Sequence, residues 1–435
     1  MSEQITSQHP NVSTAYNPRP EEWPALCQRN APSDEQVIES VRHIIAAVRH
    51  EGDAALRRFA HDFDHAELTH IELSDTERAQ LAAQTSTEVQ QAIHHALRNI
   101  RAFHQAQLPH AVKVETQPGV HCVQRAVPIQ RVGLYIPGGR APLFSTVLML
   151  AAPATIAGCK DIVLCTPQGA DGHIAPEIIY AANACGIHHI YRVGGAQAIA
   201  AMAYGTESIP RVDKIFGPGN RYVTHAKQLV STHTAIDMPA GPSEVLVMAD
   251  HTAHADYVAA DMLSQAEHGP DSQAILVCNN ADFAQSVANE IVRQTALLPR
   301  HELVEQSLRH SRIIVLPNRE QMLAFSNAYA PEHLILSVDD AWQMANGITA
   351  AGSVFIGNYS PESAGDYASG TNHTLPTSSW ARSYSGVNID SFMRKITFQE
   401  LTQQGLHSLA STIITMAEAE GLQAHAQAVR VRKPK

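Results

Sequence analysis

Asp161-Ile-Val-Leu-Cys165, Pro176-Glu-Ile-Ile-Tyr-Ala-Ala-Asn-Ala-Cys185, His189-Ile-Tyr-Arg-Val193, Ala196-Gln-Ala-Ile-Ala-Ala-Met-Ala-Tyr204 and Lys214-Ile-Phe216 alternate short apolar runs with longer helix-patterned ones. Continuous apolar runs of three to five residues suit strands buried on both faces, and the helical stretches between them suit the crossovers that parallel strands need. The alternation therefore predicts βαβ units and a parallel sheet beginning near Gly133.

Downstream a second series starts at Glu244-Val-Leu-Val-Met248 and continues through Ala274–Cys278, Arg312–Leu316, Leu334–Val338 and Ser353–Ile356, which predicts a second α/β unit. Upstream, Glu35 to Phe63 and Thr76 to Gln107 carry apolar residues three and four apart (Val37, Val41, Ile44, Ile45, Val48) and are expected to be helices. The first thirty residues, rich in Pro, Asn and Gln, show no sustained apolar period and read as an arm. The region after Ala381 reads as a separate, mostly helical segment.

With 435 residues, 44% of them hydrophobic and 17% charged, the chain can bury large cores and should divide into at least two domains. A net charge of −11 argues against a nucleic-acid partner. The longest apolar stretch, Leu143 to Cys159, is interrupted by Pro153 and small residues and reads as a buried helix, not a membrane span of about 20 apolar residues. The polar Met1 to Ser13 lacks the pattern of a signal peptide, and six cysteines stand singly with no CxxC pair, so a reduced, cytoplasmic protein is expected. Cys122 and Cys159 are read as structural.

Three glycine turns fall where strands should end: Gly133-Leu-Tyr-Ile-Pro-Gly-Gly139, Gly194-Gly-Ala-Gln197 and Phe216-Gly-Pro-Gly-Asn220. Such turns let backbone N–H groups approach a pyrophosphate, which would place Tyr135, Gln197 and Asn220 beside a dinucleotide. The GxGxxG fingerprint is absent, so ordinary βα turns compete with that reading. Gln265 and His268 lie three apart at the end of a helix and off its apolar stripe, where an imidazole and an amide oxygen could take a divalent metal or simply cap the helix. Asp366 and His425 are candidate further ligands. Glu332 and His333 follow Pro331 at a helix-to-strand junction, and an adjacent carboxylate and imidazole suit proton transfer.

Taken together, Ile236-Asp-Met-Pro-Ala-Gly-Pro-Ser-Glu-Val245, Leu263-Ser-Gln-Ala-Glu-His-Gly-Pro-Asp271, Pro331-Glu-His333 and Ser363-Ala-Gly-Asp-Tyr-Ala-Ser-Gly-Thr-Asn-His373 resemble the histidinol dehydrogenase family, from about residue 30 to the end. The resemblance implies two incomplete Rossmann-like domains with parallel sheets and small terminal segments, an aldehyde-dehydrogenase-like architecture without GxGxxG. One domain would be residues 31–132 with 242–380, the other, on the NAD side, residues 133–241. It further implies the four-electron oxidation of L-histidinol through L-histidinaldehyde to L-histidine, the final step of histidine biosynthesis. One zinc per subunit would be held by Gln265, His268, Asp366 and His425. His333 would serve as base and acid, and Glu332 would activate water. Ser243, His373 and Glu420 would contact substrate, together with Gln265, His268, His333, Asp366 and His425. Tyr135, Gln197 and Asn220 would border NAD. A homodimer would exchange the segment 381–435, so that Glu420 and His425 act in the partner's site. A zinc/NAD dehydrogenase of another small polar alcohol and a zinc hydrolase are the rival readings.

Overall fold

The structure, a computed structural model, describes residues 12–29, 34–138, 142–169, 172–239 and 241–432. Gly139 of the first glycine turn, Ala240, and residues 1–11 and 30 of the arm lie outside the described residues.

In chain order the strands are β1 (Ser13–Tyr16), β2 (Val112–Gln117), β3 (Val120–Pro128), β4 (Arg131–Tyr135), β5 (Asp161–Cys165), β6 (His189–Tyr191), β7 (Lys214–Phe216) and β8 (Ala235–Ile236). There follow β9 (Glu244–Ala249), β10 (Gln273–Cys278), β11 (Arg312–Val315), β12 (His333–Ser337), β13 (Ser353–Ile356) and β14 (Met393–Leu401). They form a five-stranded parallel sheet, β6-β5-β4-β7-β8, and a six-stranded parallel sheet, β1-β11-β10-β9-β12-β13. An antiparallel sheet, β14-β3-β2, stands apart from both. Two α/β units with parallel sheets are thus present, as the strand-helix alternation predicts.

The buried strands carry the cores. β9 and β10 are buried at every position, because helices cover both faces of the six-stranded sheet. The helix Phe144–Ala157, holding Pro153, is buried on nearly all sides against the five-stranded sheet, so Leu143 to Cys159 is an interior helix.

Four details differ from the sequence reading. Each of the two long N-terminal helices is split: Gly52, at φ +56°, separates Glu35–Glu51 from Asp53–Asp64, and Ser86 caps Thr87–Gln105 after Asp75–Ala82. Both pairs keep their apolar faces in register across the break, so periodicity alone runs through it.

Those helices also turn their apolar faces to the five-stranded sheet and its helices, since Val41, Ile44 and Leu56 share a core with Val163 and Ile199, and Leu97 and Ile100 one with Leu148 and Leu150, while Asn99 and His104 of Thr87–Gln105 bond Ala368 and Asn372. The described part of the arm is structured: Ser13–Tyr16 adds the edge strand beside β11, too short and polar to show alternation. Finally, the C-terminal segment contains β14, which pairs with β3 over its whole length and is largely exposed, so it lacks the apolar pattern of a buried strand.

Candidate active site

β12 begins at His333, and its neighbour β9 begins at Glu244, so both reactive candidates stand at the amino edge of the six-stranded sheet. The helix Arg319–Tyr329 ends at Ala330, which takes a left-handed φ of +54°, and Pro331 then delivers Glu332 and His333 into the strand. This is the helix-to-strand junction predicted from Pro331.

The helix Ala255–Ala266 follows β9 and returns to the same edge, with Gln265 in its last turn and His268 just beyond its end. The short helix Glu362–Tyr367 follows β13 and brings Glu362 and Asp366 one turn apart. Gly365 permits that approach, since a Cβ there would lie 2.7 Å from the Phe355 ring of β13.

His333 is the centre of the cluster. Its Nδ1 lies 3.7 Å from Glu332 Oε2, 3.7 Å from Glu362 Oε1 and 3.3 Å from the Glu244 carbonyl, and its Nε2 lies 3.6 Å from Asp366 Oδ1. Burial opposes its charged form, but Glu362, Glu332 and Asp366 outweigh burial and push it up to about 10. Glu332 accepts the Glu244 N–H at 2.9 Å, and burial pushes its carboxyl up to about 8. Burial likewise raises Glu362 to about 8.

The donor set fits a divalent cation. Ligand atoms of His268, Glu362 and Asp366 come within 4.8 Å of one another. Gln265 is fully buried with neither side-chain oxygen nor nitrogen bonded, and both oxygens of Glu362 are also buried without a hydrogen-bond partner. Orphaned polar groups of this kind are costly and rare in folded proteins, and a cation would satisfy the oxygens among them. Three buried or half-buried carboxylates around one imidazole also leave an excess of negative charge that a cation would balance.

Glu362 is the residue that sequence reasoning missed. It immediately precedes the quoted Ser363–His373 motif, and its spacing of four from Asp366, one helical turn, was the available signal.

The remaining candidates are placed as follows. His373 is half-buried, with Nδ1 2.9 Å from the Asp366 carbonyl and Nε2 3.3 Å from Thr146 Oγ1, so it bridges the cluster and the helix Phe144–Ala157. Ser243 immediately precedes β9, half-buried. Glu420 and His425 are exposed on the paired helices Gln403–Ala419 and Gln423–Arg430, and His425 is not among the ligand-type side chains that converge on His268.

Tyr135 ends β4, and its buried hydroxyl accepts the Gly195 N–H at 3.1 Å, with burial raising it to about 12. Gln197 is buried in the first turn of the helix Gly195–Tyr204, and exposed Asn220 caps Arg221–Val230 by accepting the Val223 N–H at 3.2 Å. All three lie at the carboxyl edge of the five-stranded sheet. Of the candidate cysteine nucleophiles, Cys159 is buried and pushed up to about 12 by burial, which leaves it inert.

The family model for histidinol dehydrogenase matches residues 27–433. The chain belongs to the histidinol dehydrogenase family. It is 53% identical over 412 residues to the histidinol dehydrogenase of Bacteroides fragilis (strain YCH46), covering 94% of this chain and 96% of that one. It is also 53% identical over 417 residues to that of Salmonella typhimurium (strain LT2), covering 95% of each. The crystal structure of histidinol dehydrogenase from Elizabethkingia anophelis superposes with a TM-score of 0.95 at 51% identity, covering 98% of this chain and 99% of that one. Histidinol dehydrogenases are oxidoreductases, and the amino-edge cluster and carboxyl-edge turns described above are the parts of this family member on which its chemistry can be argued.

Proposed function

We propose that the chain oxidises L-histidinol through L-histidinaldehyde to L-histidine, consuming two NAD and one water. The observation that carries this reading is the convergence of the Glu332–His333 pair with His268, Glu362 and Asp366 at one edge, next to the orphaned Gln265 amide.

Gln265, His268 and Asp366 would hold zinc, with Glu362 beside them. Bound there, zinc supplies a template for the amine and imidazole nitrogens of the substrate. NAD, bordered by Tyr135, Gln197 and Asn220, supplies the hydride acceptor. A cation balancing the surrounding carboxylates would lower His333 from its raised value, which would let it act as a base. In the first oxidation His333 takes the hydroxyl proton while the carbinol carbon gives up hydride. In the second, Glu332 takes a proton from the water that adds to the aldehyde while His333 returns its proton to the aldehyde oxygen, and His333, neutral again, takes the hydrate's proton as the second hydride departs. Ser243 and His373 would hold the substrate.

Glu420 and His425 of the partner subunit would complete the site in a homodimer. Exposed Val112, Val114, Phe398, Met416 and Leu422, on the antiparallel sheet and the C-terminal helices, support a covering partner. The six free cysteines fit a reducing cytoplasm.

The test is NADH formed per histidinol consumed, before and after chelation and zinc restoration. Two NADH per histidinol, lost with the metal and regained with zinc, is the expected result. One NADH, or none, would overturn the four-electron reading.

A further inference from the structure

The arm carries no motif, yet its Arg29 reaches the interior, where its side chain is 13% exposed. Its Nε and Nη2 bind the two Glu244 carboxylate oxygens at 2.7 and 2.9 Å. Nη2 also donates to the Tyr329 carbonyl at 2.8 Å, and Nη1 donates to the Cys27 carbonyl and to Ser379 Oγ, both at 2.9 Å. These bonds account for all five N–H donors of the guanidinium, which lies 3.6 Å from the Tyr329 ring centroid. The Tyr329 hydroxyl in turn donates to Gln273 Oε1 at 2.7 Å.

The two elements tied together by Arg29 flank the reactive pair. Glu244, its side chain 1% exposed, heads β9, and its backbone is shared between both reactive side chains: its N–H donates to Glu332 Oε2 at 2.9 Å and its carbonyl lies 3.3 Å from His333 Nδ1. Tyr329 ends the helix that leads through Pro331 into Glu332. A shift of either element would move the oxygen or the ring nitrogen that must meet substrate, and catalysis is sensitive to misplacement of about 1 Å.

We propose that Arg29 is a positioning residue for Glu332 and His333, acting through Glu244 and the Tyr329 carbonyl, so that the N-terminal arm is part of the reaction machinery. This role rests on the oxidation reading above. Lysine cannot replace it: an ammonium has three donors and no plane to span a carboxylate and a carbonyl while stacking on a ring.

The test compares Arg29→Lys with the charge-neutral double variant Arg29→Met/Glu244→Gln, which removes the clamp without stranding a buried carboxylate. For each, kcat and histidinol KM are measured per folded, zinc-loaded molecule, with folding read by circular dichroism and metal by elemental analysis. The expected result is a kcat lowered at least about tenfold with KM and zinc content unchanged in both variants. If Arg29→Lys alone fails to fold, the double variant carries the test. A kcat equal to that of the unaltered chain in either folded variant would overturn the role of Arg29, as would a fall explained wholly by KM or by lost zinc. The unaltered chain, assayed alongside, separates the two levels: its failure to form NADH from histidinol overturns the oxidation reading and this role with it.

Discussion

In both parallel sheets the first strand of the unit is central, the next two extend to one side and the last two to the other, which places a switch point between β4 and β7 in one and between β9 and β12 in the other. Open α/β sheets bind ligands at the carboxyl edge of such a point. In the five-stranded sheet that edge is made of glycine turns: Gly217 lies against the Tyr135 carbonyl, and the helix after β6 starts at Gly194 with no side-chain cap. In the six-stranded sheet the same edge is filled by its own side chains. Asp250 accepts N–H groups from Thr252 and Asp339 there, and Asn280 and Asn318 cap the helices after β10 and β11. Its reactive groups stand at the opposite, amino edge. On the proposed reading, strand order does not decide which edge works; the residues at the strand ends do.

The largest expected effects lie at the amino edge. His333→Asn removes the proposed base of both oxidations and should lower each by about 10²–10⁴-fold. Glu332→Gln keeps an acceptor for the Glu244 N–H, so alcohol oxidation should survive while aldehyde oxidation falls by about 10²-fold or more. Single-turnover measurements with histidinol and with histidinaldehyde separate the steps. Equal losses in both steps for the Glu332 variant would show that the two residues act as one unit.

At the carboxyl edges two glycine substitutions sharpen the contrast. Gly217 has φ +128°, and a Cβ there would lie 2.1 Å from the Tyr135 carbonyl oxygen, so Gly217→Ala must displace the β4 turn. It should cost about 1–3 kcal/mol in urea unfolding and raise the NAD KM. Gly357, after β13, has φ +85° with nothing within 4 Å of a Cβ. Gly357→Ala should cost about 1–2 kcal/mol and leave the NAD KM alone. If both variants raised the KM alike, the two edges would not differ in function.

The same contrast explains how much of the molecule was legible in its sequence. Strands such as Asp161–Cys165 and Lys214–Phe216 are bounded correctly because burial on both faces writes a continuous apolar run. Ser13–Tyr16 and Met393–Leu401 went unread because an edge strand and an exposed ribbon need no such run. Glu332 and His333 were legible as neighbours after a proline, whereas Glu362 makes sense only once β12 and β13 are side by side. Arg29 and Glu244, 215 residues apart, meet through a sheet whose register no local pattern encodes.

The cleanest test of the filled edge is an effect on stability alone. Asp250 is 3% exposed; one oxygen accepts from the Thr252 N–H and hydroxyl, the other from the Asp339 N–H at 2.9 Å. Burial alone would raise its carboxyl, but those donors hold it below the usual carboxylate range. A depressed folded-state value means that the carboxylate stabilises the chain above its unfolded value of about 4 and that this contribution is lost as pH falls through the folded value. Asp250→Asn sets an amide N–H against one of the donors and should cost about 1–3 kcal/mol at neutral pH. The gap in stability from the unaltered chain should narrow in acid, below about pH 4. Because the proposed NAD site lies on the five-stranded sheet and this edge holds its own backbone, kcat and the NAD KM should not move. A raised NAD KM in the folded variant would mean that the six-stranded sheet also binds at its carboxyl edge, and the division of labour between the two sheets would fail.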